Sequence, residues 1–316
     1  MPAWCKKGVM NLLSIYKTVD NRILRLDKIE DDCWINLIYP TEDELKLVIG
    51  TLDIIPEFIR AALDEEERSR IDTEEDQNLI IIDVPSVEKE DAIIYSTLPM
   101  GIIITKSNIV TVCLKETSII NDFAEGLVKG AKTSQRTRFI FMILLRVASR
   151  YLQYLKQIDK ISSYIEKQLY KSQRNKELIQ LLDLEKSLVF FNTSLKSNEV
   201  TLEKILRGRI IKLYEEDQDL LEDVLIEVKQ AIEMTNIYSS ILSGMMDAYA
   251  SLVSNNLNVI MKVLTSITIL ITIPSIVFGF YGMNVALPFG NWWFPVLLSA
   301  GIVGVLVILL RKKGLM

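Results

Sequence analysis

Hydrophobic and polar positions along this chain change their rhythm twice. Up to about residue 130, short apolar runs alternate with acid-rich amphipathic stretches. LLSIYKTV, CWINLIYP, NLIIIDVPSV, DAIIYSTL, GIIITKS and NIVTVCL read as strands. Thr41 with Glu44 three residues on is a capping box and predicts a helix through TEDELKLV. IPEFIRAALDEEER, with Pro near its start and acids along its second half, predicts another. After Gly130, Gly and Pro nearly vanish, and Leu, Ile, Lys and Glu recur at helical spacing. Three long helices are expected, with breaks near Ser172 to Asn175 and near Gly208; the last starts near Glu215 and runs to Pro274.

In the third rhythm, polar positions thin out altogether. Val263 to Phe280 (VLTSITILITIPSIVFGF) and Trp292 to Leu310 (WWFPVLLSAGIVGVLVILL) contain no charge. A membrane-spanning helix needs about 20 mainly apolar residues, and both runs qualify. The opposing reading, two core helices of a soluble protein, has to hide both runs from water. FIFMILLRVA, from Phe139, has too short an uncharged core to span and is bracketed by Arg138 and Arg146, so it is expected to be a buried helix face. The start, MPAWCKKGVMNLL, is too short for a signal sequence and is interrupted by Lys6 and Lys7, so the bulk of the protein is expected to stay where it is made.

Lys262 precedes the first span and Arg311, Lys312 and Lys313 follow the second, while Tyr281 to Asn291 carries no ionisable group except a phenol. The positive-inside rule then places both termini in the cytoplasm and the loop outside, with Tyr281, Trp292 and Trp293 at the outer interface. The expected class is an α+β membrane protein with an N-terminal mixed α/β cytoplasmic domain, a long helical stalk and two C-terminal transmembrane helices. The expected division is 1–130 for the α/β domain, 131–258 for the stalk, 259–281 and 292–311 for the spans, 282–291 for the external loop and 312–316 for a basic tail.

Composition narrows the chemistry. The chain has 316 residues, 49% hydrophobic and 24% charged, with 36 Lys+Arg against 41 Asp+Glu, a net charge of -5. Its length exceeds one typical domain of roughly 100 to 150 residues. Histidine is absent, which rules out Ser-His-Asp, Cys-His and His-zinc sites. With 13 Gly the chain contains neither GxGxxG nor GxxxxGK[ST], so nucleotide chemistry has no motif behind it. Cys5, Cys33 and Cys113 are too scattered for a metal pair or a disulfide framework and read as packing residues of a reducing compartment. No catalytic constellation emerges, so the chain is not expected to be an enzyme. The mildly acidic balance disfavours nucleic acid and suits cations.

Asn258, Met261, Thr265, Thr268, Thr272, Ser275 and Gly279 are spaced alternately three and four apart, a seam that faces one direction on a helix. In an oligomer such a seam can line a water-filled path; equally, it can pack helices together, each hydroxyl bonded to its own backbone. The stripe alone does not choose. The loop Tyr281-Gly282-Met283-Asn284 favours the path, with Gly282 able to take positive φ and expose carbonyls and Asn284 adding an amide oxygen.

YGMN closing the first of two C-terminal spans resembles the CorA family of magnesium transport proteins. NNLNVIMKVLTSITI, from Asn255, is similar to that family's pore-helix entry, N-x-x-MK-x-LT, and the basic tail fits as well. The resemblance is specific over about the last seventy residues and extends upstream only in the order of elements. It implies a homopentamer in which the first spans line the pore, the second spans face lipid, and a funnel of long helices carries the α/β domains. Gly282, Met283 and Asn284 then form the outer selectivity ring, Asn258 a polar ring at the cytoplasmic end, and Met261 and Leu264 an apolar constriction. Mg²⁺ dehydrates reluctantly, so neutral oxygens suit the waters of the hydrated ion, whereas a carboxylate ring holds it longer. Family members often carry an acid soon after GMN; VALPFGNWWFP has none.

The resemblance also implies regulation by cytoplasmic Mg²⁺ bridging acids of neighbouring subunits. Asp223 in EDVLIEVKQ and Asp247 in SGMMDAYAS match such positions. Where the family has an LED-like stretch after a Pro, this chain reads Phe58 to Leu63, and Asp64, Glu65 or Glu66 stands in a turn later. Glu215, Glu216, Asp217, Asp219, Glu222 and Glu227 read as a solvated face. The expected function is a passive Mg²⁺ channel of the cytoplasmic membrane, with Mg²⁺ as cargo and regulator and no prosthetic group. The alternatives are a transporter of Co²⁺, Ni²⁺ or Zn²⁺, and a non-conducting membrane-anchored helical scaffold or sensor. Lack of His, and of Cys near the pore, argues against direct ligation of soft metals.

Overall fold

The computed structural model describes residues 13–89, 93–172, 175–208, 214–283 and 291–314, and the chain falls into two units, Met1–Ser243 and Gly244–Met316. The first unit is built on a seven-stranded mixed sheet: β1 Leu13–Val19, β2 Arg22–Leu26, β3 Trp34–Ile38, β4 Arg70–Glu74, β5 Gln77–Lys89, β6 Ile93–Ile104 and β7 Ile109–Cys113. Their order is β2-β1-β3-β7-β6-β5-β4. The central pair β3 and β7 is parallel and the flanking pairs antiparallel. The first hairpin closes with Val19 opposite Arg22, over Asp20 and Asn21 at φ 49° and 61°, a left-handed pair whose twist matches that of the strands.

The pleat sends alternate side chains of β3 to opposite layers. Ile35 and Leu37 join a core with Leu45 and Val48 of α1 (Glu42–Leu52) and Phe58 and Ile59 of α2 (Pro56–Ala62). The capping box opening α1 is present: Thr41 Oγ1 accepts from the Glu44 N–H at 3.3 Å and Glu44 Oε2 accepts from the Thr41 N–H at 2.9 Å. A Cβ on Gly101 of β6 would lie 2.3 Å from the Ala62 Cβ, so α2 can approach the sheet this closely only over glycine. On the other face, the Trp34 ring meets Phe123 of α3 (Ser118–Ala124) at 6.3 Å and Phe139 of α4 (Arg136–Ser172) at 5.4 Å. Its indole N–H donates to Thr111 Oγ1 (2.9 Å), which donates to Asn36 Oδ1 (2.8 Å), so the buried polar atoms stay paired.

The helix α5 (Asn175–Gly208) completes this layer beside α4. Asn198 clasps the Asp83 backbone, donating from Nδ2 to its carbonyl (2.8 Å) and accepting its N–H at Oδ1 (2.9 Å), and the Tyr151 hydroxyl donates to the same carbonyl at 3.0 Å. Burial pushes the Asp83 carboxyl above the usual carboxylate range, opposed by the Ser194 and Ser69 hydroxyls. Cys33 and Cys113 are free and buried, and burial raises the Cys113 thiol to about 12, consistent with packing and not with nucleophilic chemistry. Cys5 lies outside the described residues.

The FIFMILLRVA run is buried: Phe139, Ile140, Phe141 and Ile143 are each 0% exposed. Helix α4 ends at Ser172, α5 begins at Asn175 and ends at Gly208, and α6 spans Glu215–Tyr281, followed by α7, Trp293–Lys312. Three details depart from expectation. DAIIYSTL and GIIITKS form one strand; β2, β4 and α3 are additional elements; and α2 ends at Ala62. Helix α6 passes through Pro274, within the expected span 259–281. The early end of α2 has an electrostatic reason, since Asp64, Glu65 and Glu66 would crowd the negative end of the helix dipole.

Candidate functional site

The unit Gly244–Met316 contains the end of α6 and all of α7. Both helices are long and apolar enough to cross a membrane, and within the chain only 6% and 17% of their most apolar windows are buried. A pair of soluble core helices would be mostly enclosed, so that reading fails here.

The two helices pack antiparallel. Tyr281 meets Phe294 at 6.1 Å between ring centroids, and at the opposite end Ser266 and Leu310 line one pocket. On α6 the positions drawn in are Ser266 (2% exposed) with Leu270, Ile273, Pro274, Val277 and Tyr281 partly buried; on α7 they are Pro295, Ser299 and Leu310. At about 100° per residue, the α6 set points one way. Asn258, Met261, Thr265, Thr268, Thr272, Ser275 and Gly279 point almost the opposite way, and all seven are exposed. Leu264, beside them, is 56% exposed. Every hydroxyl residue between Val263 and Phe280 except Ser266 therefore lies on the face turned away from α7.

Those hydroxyls are bonded in a particular way. Thr268 Oγ1 donates to the Leu264 carbonyl (2.8 Å), Thr272 to that of Thr268 (2.8 Å) and Ser275 to that of Ile271 (3.1 Å). A hydroxyl whose proton is spent on its own helix has only lone pairs left to offer outward. Thr268, Thr272 and Ser275 thus present acceptors outward, which suits cations or the hydrogens of their hydration waters. Own-backbone bonding, the mark of the packing reading, is present, and it leaves this acceptor capacity unused.

Pro274 withholds the N–H that would pair with the Leu270 carbonyl, yet the helix continues for seven residues, with Pro274 on the side packed toward α7. At its end the Gly282 N–H donates to the Phe278 carbonyl at 2.9 Å. The φ of Gly282 is not in the left-handed region, contrary to expectation. A Cβ there would lie 3.1 Å from the Phe278 oxygen, a tight contact that glycine avoids. Met283 is 56% exposed, and Asn284 lies outside the described residues. Trp293 stacks edge-on with Phe294, and Trp292 is 84% exposed.

The acids named for regulation do not gather within one chain. Asp223 is exposed on α6 beside the buried Leu221, Val224 and Leu225. Asp64 is exposed in the turn after α2 and accepts the Glu66 N–H at 3.0 Å, and Asp247 is exposed. Among the described residues no three acids or cysteines are grouped as a metal site. Asp217 corrects the reading of a uniformly solvated acidic face. It is 6% exposed, and burial raises its carboxyl, countered by Arg138 and the Tyr214 backbone. Its position three residues after Tyr214, at the helix start, is the capping signal that the charge run concealed.

A model of the family described as CorA-like Mg²⁺ transporter protein matches residues 30–312. The cobalt/magnesium transport protein CorA of Methanocaldococcus jannaschii is 27% identical over 295 residues, covering 89% of this chain and 90% of its own length. Its namesake from Thermotoga maritima is 23% identical over 308 residues, covering 94% and 87%. The complete structure of the CorA magnesium transporter from Methanocaldococcus jannaschii superposes with a TM-score of 0.86 at 26% identity, over 98% of this chain and 100% of that one. The α/β unit, long helix and two apolar C-terminal helices are shared with that structure.

Proposed function

The chain belongs to the CorA-like Mg²⁺ transporter family, and on that premise we propose that it conducts Mg²⁺ passively into the cytoplasm through a homopentamer lined by the ends of its α6 helices. The observation that carries this reading is the stripe from Asn258 to Gly279, exposed on the face opposite α7. Copies related by a central axis can turn these stripes inward and leave α7 to the lipid. Residues 1–130 and 131–258 are cytoplasmic domain and stalk, 259–281 and 292–311 the spans, 282–291 the outer loop, and both termini are cytoplasmic, as the cations at Lys262 and Arg311 to Lys313 support.

In this arrangement Gly282, Met283 and Asn284 ring the outer mouth. Neutral oxygens there bind the waters of the hydrated ion without holding it long. Thr265, Thr268, Thr272 and Ser275 pass it along by their outward lone pairs. Met261 and Leu264 form an apolar constriction that closes by dewetting, and Asn258 forms a polar ring that receives the hydrated ion on the cytoplasmic side. A divalent ion gains about 4.6 kcal/mol per 100 mV of inside-negative potential, so no nucleotide is required. A mouth that grips waters and not the metal also admits hydrated Co²⁺, which the cobalt/magnesium designation of both relatives supports. Cytoplasmic divalent ions close the path by bridging Asp223 of one copy to an acid of the next, with Asp64 and Asp247 as further positions.

The test is Mg²⁺ entry into proteoliposomes held inside-negative, read by an enclosed Mg²⁺ dye, for the native chain and Asn284→Ala. Flux in the native chain that drops at least about tenfold in the variant is expected, an effect of about 1.4 kcal/mol at the mouth. No flux from folded oligomers at low internal Mg²⁺ would leave the scaffold reading standing instead. For regulation, Mg²⁺ is expected to protect the native chain from protease, with Asp223→Ala losing that protection.

A further inference from the structure

The chain as a whole is acidic, but between Gly244 and Met316 it has a single acidic side chain, Asp247, against the cations Lys262, Arg311, Lys312 and Lys313. Antiparallel packing gathers these cations at one end of the hairpin. Lys262 and Leu310, the residue before Arg311, line a common pocket of about 390 Å³ together with Asn255, Asn258, Ser266 and Ile269. Asp247 precedes Lys262 by fifteen residues, roughly 22 Å along the helix, too far to neutralise it. Arg311 and Lys312 sit in the last turn of α7, where they complement the helix dipole. Lys262 lies inside α6, well away from either end, and has no such role.

An ammonium group at the edge of two apolar spans, with two amides beside it, an apolar floor of Ile269 and Leu310, and no Asp or Glu nearer than Asp247 among the described residues of this unit, calls for an anion at headgroup depth. We propose that this corner binds the phosphate of an anionic phospholipid, with Lys262 and Arg311 as counter-charges, Asn255 as hydrogen-bond donor, and the acyl chains continuing along the apolar flank. The proposal rests on the reading of α6 and α7 as membrane spans and is independent of whether the pore conducts. The pocket also touches Met261 and Thr265, so a bound headgroup would border the pore-facing stripe.

The test uses the full chain reconstituted in phosphatidylcholine vesicles containing trace spin-labelled phosphatidylglycerol or phosphatidylcholine, with the motionally restricted fraction of each label read by electron paramagnetic resonance. Each cation near an anionic lipid strengthens association by about fivefold, so the native chain should favour phosphatidylglycerol severalfold. Lys262→Gln combined with Arg311→Gln should remove that preference, and Lys262→Arg alone should keep it. Equal preference in the native and doubly neutralised chains would overturn the proposal. Displacement of the labelled phosphatidylglycerol by millimolar inorganic phosphate at constant ionic strength would also overturn it, in favour of a site for free phosphate. Restricted lipid of neither kind would overturn the membrane reading and this proposal together, whereas restricted lipid without preference overturns this proposal alone.

Discussion

Two apolar runs in two long helices of this protein meet opposite fates. In α4, Phe139, Ile140, Phe141, Ile143, Leu144, Val147 and Ala148 are all at most 3% exposed, and the charges among and after them, Arg146 and Arg150, are paired with Asp122 at 2.6 Å and 2.8 Å. In α6, between Val263 and Phe280, the only buried side chain is that of Ser266. The first run is a stripe and the second goes all the way round its helix, with its hydroxyls collected on the side away from its neighbour. A helix apolar all round and exposed in the single chain requires a surrounding other than water. Both runs are rich in Ile, Leu and Phe; what separates them is how those side chains are distributed around the axis.

The largest test of this contrast exchanges the same residue in each run. Phe139→Ala should cost about 3 to 5 kcal/mol, the usual loss for emptying a packed aromatic site. It should lower the melting temperature of the cytoplasmic unit in detergent by about 6 to 20 degrees. Phe278→Ala, at a position 47% exposed, should change stability by no more than about 0.5 kcal/mol. A loss of similar size from Phe278→Ala would mean that another copy covers that side of α6.

A charge placed at mid-span sharpens the contrast between the flanks of α6 itself. Ile271 and Thr272 sit at the same depth but about 100° apart, Ile271 being 64% exposed on an apolar flank and Thr272 lying on the stripe. Lysine at a lipid-facing position near the centre costs about 2.5 to 3.5 kcal/mol on insertion scales. Ile271→Lys is therefore expected to reduce membrane-integrated, folded protein by at least tenfold, and Thr272→Lys much less, because water can reach it. Equal losses would remove the water-facing assignment of the stripe.

Legibility in the sequence follows the same physics. Strands buried on both faces, such as NLIIIDV and NIVTVCL, announce themselves as apolar runs. The edge strands β2 (RILRL) and β4 (RIDTE) do not, because half their side chains meet water and charges occupy those places. Pro274 falls inside the expected span 259–281, and the helix continues through it, since a proline turned toward a neighbouring helix costs one hydrogen bond and not the helix. The seam is visible as a spacing of threes and fours. Spacing cannot say which side of the helix a neighbour takes, and the position of α7 shows that the seam is turned away from it. Gly282 stands out in the sequence as a glycine able to take positive φ, which it does not adopt, and its tight approach to a carbonyl four residues back leaves no trace in local composition.

The smallest expected effect concerns the reverse case, a charge held inside the α/β unit. Asp83 on β5 is partly buried under α4 and α5, and burial raises its carboxyl while two serine hydroxyls oppose the rise. The titratable group facing it is Tyr151, itself pushed well above its usual value and neutral at physiological pH. A carboxyl raised by folding takes up its proton more readily in the folded chain than in the unfolded one. Its contribution to stability is full below the unfolded value and is lost as pH rises through the folded value. Asn at this position keeps the shape and cannot ionise. Asp83→Asn should therefore melt higher than the native chain at pH 8, with the difference shrinking as the pH is lowered through the carboxylate range. The check is a series of thermal melts of both full-length chains across that range. A pH-independent difference would mean that Asp83 carries no desolvated charge, and that hydroxyl hydrogen bonds suffice to hold a carboxylate there.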